Sequence, residues 1–98
     1  MKYLVEASPS IARANEMDAK AGPGALFGHI VKRFKPEVFY GTPLRRQIFM
    51  IVDLPTEAVT ELMMIVSRAV DRDPLFTPLM DPSIYGKAIE ASNKAPLR

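Results

Sequence analysis

The chain contains no cysteine. That absence excludes disulfides, thiol nucleophiles and thiolate metal sites together, and it fits a cytoplasmic location. Histidine is nearly absent too, with His29 the only one. A zinc site would have to be built mostly from carboxylates, which is unusual for that metal. The opening Met1-Lys2-Tyr3-Leu4-Val5-Glu6 lacks an apolar region long enough for a signal peptide. No stretch approaches the roughly 20 apolar residues of a membrane span. Excess charge is small, at +2. The densest basic groups are Lys32-Arg33-Lys35 and Arg45-Arg46. The first falls at the end of a predicted helix, where cations suit the negative end of the helix dipole. The charges therefore read as solvated surface, and neither a nucleic-acid nor a membrane partner is expected.

What is present is ordinary globular material. The 98 residues make one domain. Hydrophobic residues at 48% and charged residues at 24% argue against disorder. A chain this short has a limited core, and dimerisation is a usual way to extend it. Nine prolines punctuate the chain and help to place element ends.

Lys2 to Ala7 is rich in strand formers and reads as the first strand. Ser8-Pro9-Ser10 breaks it, and Ser10 is a candidate helix cap. Ile11 to Lys20 is helical by propensity. Its thin stripe of Ile11, Ala14, Met17 and Ala21 makes it peripheral. Gly22-Pro23-Gly24 interrupts the helix or kinks it. Ala25 to Phe34 follows, with Leu26, Phe27, Ile30, Val31 and Phe34 at helical spacing on a core-facing stripe. Lys35-Pro36 ends it.

Glu37 to Tyr40 is a short second strand, and Gly41-Thr42-Pro43 turns the chain. Arg45 to Asp53 is the third strand. Its centre, Ile48-Phe49-Met50-Ile51-Val52, does not alternate, which predicts burial on both faces. A helix from Leu54-Pro55 to Val70 carries Val59, Leu62, Met63, Val66 and Val70 on one stripe; Met63 and Met64 both read as core. Leu75 to Met80 is a weak fourth strand whose Pro78 confines it to an edge. A short helix, Ser83 to Ala91, and a tail complete the chain, with Tyr85 expected to anchor them.

The order β-α-β-β-α-β, with right-handed crossovers, puts the first and third strands in the centre of an α+β sheet. Both main helices then cover one face, and a second copy packed sheet to sheet would cover the other.

Few motifs carry chemistry. Gly22-Pro23-Gly24 with Gly28 is no phosphate loop, because it follows a helix and its spacing is wrong. His29, beside the core stripe, reads as a boundary histidine or as a proton-transfer group. Glu6 is placed on the second face of a central strand. It reads as an acid/base carboxylate or as the ion-pair partner of Arg45 or Arg46, and the ion pair is the favoured reading. Tyr40 reads as an edge aromatic or as a hydroxyl presented to a ligand. Arg46 reads as a solvated cation or as the holder of an anionic group, with Gln47 beside it as a substrate contact.

The run Ile48 to Asp53, a helix, and then Asp73-Pro74-Leu75-Phe76-Thr77-Pro78-Leu79-Met80 resembles the muconolactone-isomerase-like members of the dimeric α/β-barrel (ferredoxin-like) superfamily. There a strand ending in Asp leads into a helix, and a Pro-Leu-Phe turn feeds a short, proline-bearing fourth strand. Small antibiotic-biosynthesis monooxygenases and polyketide cyclases are related. The resemblance implies a homodimer, or a higher homo-oligomer, with sheets facing around small-molecule cavities. It implies chemistry without metal or other cofactor. The expected function is isomerase- or cyclase-type proton transfer by Glu6, His29 and Tyr40, with Arg46 and Gln47 holding substrate. The alternative is a non-catalytic homodimer that binds a small molecule or a protein. Fold alone does not decide between them.

Overall fold

The computed structural model describes residues 1–20 and 22–96; Ala21 and the end of the tail lie outside them. The elements run β1 (Lys2–Ala7), α1 (Ile11–Ala19), α2 (Gly24–Phe34), β2 (Val38–Thr42), β3 (Gln47–Asp53), α3 (Thr56–Val70), β4 (Leu75–Leu79) and α4 (Pro82–Ser92). The sheet has the order β2-β3-β1-β4, with every neighbouring pair antiparallel. The architecture is α+β and compatible with a ferredoxin-like βαββαβ arrangement. Pro78 sits on edge strand β4, opposite Tyr3, where its missing N–H interrupts no central ladder.

Alternation along the strands separates two faces. Val5, Ala7, Ile48, Met50 and Val52 point to the helices and join Ile30, Phe34, Leu62, Val66 and Val70 in one core. Val5, Met50 and Val52 are each 0% exposed. Each such side chain is worth about 1.5–3 kcal/mol relative to exposure. Phe27 and Phe39 pack edge to face at 5.2 Å beside this core. On the other face, Leu4, Phe49 and Ile51 are only half-buried. The expectation that β3 is covered on both sides therefore does not hold within one chain. An unbroken apolar run marks two apolar faces, and the fold of one chain supplies a cover for only one of them.

The turns follow their chemistry. β2 continues through Gly41 and Thr42, and the turn is Pro43 to Arg46, closed by the Arg45 N–H donating to the Thr42 carbonyl. Ser10 caps α1 by accepting from the Arg13 N–H at 3.1 Å. Gly22, at φ +85°, lets its N–H reach back 2.7 Å to the Met17 carbonyl. The glycine–proline break thus divides α1 from α2. Lys32 and Arg33 lie in the last turn of α2, where they suit the helix dipole.

α1 is docked by its first turn. The Ser10 N–H donates to the Val70 carbonyl at 3.1 Å, and Arg13 Nε donates to the Ala69 carbonyl at 2.7 Å. These are carbonyls that the end of α3 leaves without helical partners. Of the described residues of its expected stripe only Ala14 is buried, and Ile11 is 80% exposed. Met64, on α3, is also largely exposed, so the Met63-Met64 pair is not wholly core.

α4 stands apart. It has no buried residue, and Tyr85 is exposed, so Tyr85 does not anchor the segment to its own domain. The radius of gyration is 16.9 Å, against about 13 Å for a compact 100-residue domain.

Candidate functional site

Strand register assembles one group of polar residues on the open face. Tyr40 lies opposite Phe49, and Phe49 lies opposite Glu6. Glu6 in turn lies opposite Leu75. The next row is Val38, Ile51, Leu4 and Thr77. One step the other way, Thr42 faces Gln47. With strands about 4.8 Å apart, Tyr40 and Glu6 stand about 10 Å apart with the Phe49 ring between them. The middle of the face is thus an apolar floor around Glu6, Tyr40 and Gln47, with Thr42 and Thr77 beside them and a second carboxylate, Asp53, opposite Lys2 at its far end. Tyr40 is 71% exposed and Leu75 59%, while Glu6 is half-buried.

The favoured ion pair of Glu6 with Arg45 or Arg46 does not form. Among the described residues Glu6 has no ion-pair partner, and Arg46 turns the other way, toward α1. The reason is parity: Glu6 shares the open face with Phe49, whereas Arg46 is in step with Ile48 and Met50 and so belongs to the helical face. His29 is exposed on α2, in the helical layer across the sheet from Glu6 and Tyr40. The structure therefore brings together Glu6, Tyr40 and Gln47, and not His29 or Arg46.

A second region was not visible in the sequence. A cleft of about 360 Å³ opens between α1, the start of α2 and the β2–β3 turn. Its walls include Ala7, Ala14, Met17, Phe27, Ile48 and Val70. Asp18, Thr42, Arg46 and Gln47 supply its polar rim. Arg46 bridges that rim, with Nη1 donating to Asn15 Oδ1 at 2.9 Å and Nη2 3.4 Å from Asp18 Oδ2. Gln47 stands where the cleft and the open face meet. The only sequence signal for the cleft was the thin stripe of α1, which leaves small side chains where a packed helix carries large ones.

Among the described residues no helix is long and apolar enough to cross a membrane, and no group of three or more acidic or histidine side chains is placed to hold a metal ion. In comparison with known proteins, no family model, no curated relative and no solved structure matches the chain.

Proposed function

We propose that two copies of this chain pack open face to open face as a dimeric α/β barrel, enclosing a cofactor-independent site for proton transfer on a small, largely apolar molecule. The observation that carries this reading is the row Tyr40–Phe49–Glu6 beside the apolar Leu4, Ile51 and Val38 at the centre of an uncovered sheet face. Phe49 is a platform for a flat substrate. Glu6 takes a proton from carbon and returns it to another carbon, so an isomerisation or cyclisation consumes nothing. Tyr40 donates to a developing oxyanion, and the Gln47 amide orients the substrate. Exclusion of water by the second copy strengthens each of these interactions.

Area supports the second copy as the cover. Four strands about 4.8 Å apart, each about 20 Å long, give about 400 Å² in projection. α4 adds an amphipathic surface about 16 Å long. Ile84, Tyr85, Ala88, Ile89 and Ala91 share one side of it, with Ser83, Gly86, Lys87 and Glu90 opposite. With side-chain relief, sheet and helix together approach the roughly 800 Å² per partner of a standard interface.

The test is a screen of small lactones and enones for double-bond migration, followed by proton NMR. Glu6→Gln should lower kcat by about 10²–10⁴-fold while the sedimentation of the protein is unchanged. Unchanged turnover in Glu6→Gln rejects the catalytic role. A non-catalytic homodimer that binds small molecules is the second reading, favoured by the sparse polar complement of the face.

A further inference from the structure

We infer that the cleft beneath α1 is a separate binding site for a small molecule with an apolar body and a carboxylate-type head, and that Arg46 holds that head. The inference does not depend on the sheet-face dimer, because the cleft lies on the helical side.

Its size is that of a small-ligand pocket. A volume of about 360 Å³ is at the lower end of the usual range. At about 30 Å³ per water it equals about twelve waters, so a ligand of about ten non-hydrogen atoms fits. The walls from Ala14, Met17, Phe27 and Val70 offer water few partners and favour an alkyl or aromatic body.

The charge at the rim selects the head. Among the described residues Arg46 is the only cation lining the cleft. Its guanidinium is occupied by Asn15 and Asp18, and both Arg46 and Asp18 are about half-exposed. Such surface pairs are weakly held. A ligand carboxylate that brings apolar burial with it displaces the Asp18 carboxylate and takes the planar fork bidentately. α1 stays fastened at its other end by Ser10 and Arg13, so exchange of partners at Arg46 loosens only its last turns.

The experiment is a titration of the full chain with octanoate and with octanol, followed by backbone amide NMR shifts. Octanoate should bind about tenfold tighter than octanol, as a charge-assisted hydrogen bond provides. The shifts should centre on Ala14, Phe27 and Val70. Arg46→Gly should bring the two affinities together, leave octanol binding within about twofold, and melt no lower than the parent because glycine suits the turn at the φ of +49° that Arg46 adopts. Asp18→Asn should tighten octanoate by about threefold and leave octanol unchanged, because it removes the competing carboxylate. The inference is overturned if octanoate does not saturate the protein, if the shifts centre on Leu4, Tyr40 and Phe49, or if Arg46→Gly leaves the octanoate preference intact.

Discussion

The two faces of one sheet behave differently although the same strands build both. On the helical face Val5, Met50 and Val52 are sealed. On the other, Leu4, Phe49 and Ile51, their immediate neighbours in sequence, are half-buried with no helix above them. The side chains are equally apolar, so the difference lies in what each face has been given to pack against. The second face is less apolar than the first, since Lys2, Glu6, Gln47 and Asp53 share it, but its centre is uncovered by the chain's own helices. In the proposed dimer the cover is a second copy, and the central carboxylate, Glu6, becomes a reactive group inside it.

The contrast can be broken by substitution. Met50→Ala opens a cavity in a sealed core and should cost about 2–5 kcal/mol in urea unfolding. The matching outer change, Ile51→Ala, should cost less than half as much in dilute protein, and more as concentration rises, because burial there comes with association. If both changes cost the same at every concentration, the faces do not differ as described. Next in size is Arg13→Ala, which removes a charge-assisted bond to the Ala69 carbonyl and should cost about 1.5–3 kcal/mol. Its signature is faster hydrogen exchange in α1 with β1 and β3 still protected. Breaking the exposed pair between Arg33 and Glu61, 3.0 Å apart, by Arg33→Ala should change stability by less than about 1 kcal/mol.

The smallest effect concerns acid. Asp81 accepts from the hydroxyl and the backbone N–H of Ser83 at the start of α4. These bonds hold its carboxyl below the usual aspartate value. A depressed folded value means that the cap contributes above the unfolded value and is lost as pH falls through the folded one. α4 should therefore fray only below about pH 4, and the helical signal at its N-terminal amides should follow. Asp81→Ala should remove that step without moving the core transition.

The element order was legible in the sequence because its signals are local. Helical spacing in Leu26 to Phe34, the unbroken run Ile48 to Val52 and Pro78 in β4 each point to one place in the sheet. The pairing of Glu6, Phe49 and Tyr40 was not legible, since it rests on register between strands far apart in sequence. The same holds for the cleft, which exists because Arg13 reaches Ala69 and Arg46 reaches Asn15 and Asp18 across the chain. The failed pairing of Glu6 with Arg46 has a sharper reason. Which residues of two strands share a face depends on their register, and the observed register sets Glu6 with Phe49 and Arg46 in step with Ile48 on the opposite side. His29 was read beside the core stripe, and it is exposed on α2. Which layer of the fold the helix occupies, and so which site His29 can reach, is a tertiary property.

Sedimentation equilibrium of the parent chain beside Phe49→Lys tests the central claim most directly. The account predicts a dimer at micromolar concentration for the parent, and a monomer with an intact circular dichroism spectrum for the variant, whose buried charge the interface cannot accept. A parent chain that sediments as a monomer throughout that range would contradict it.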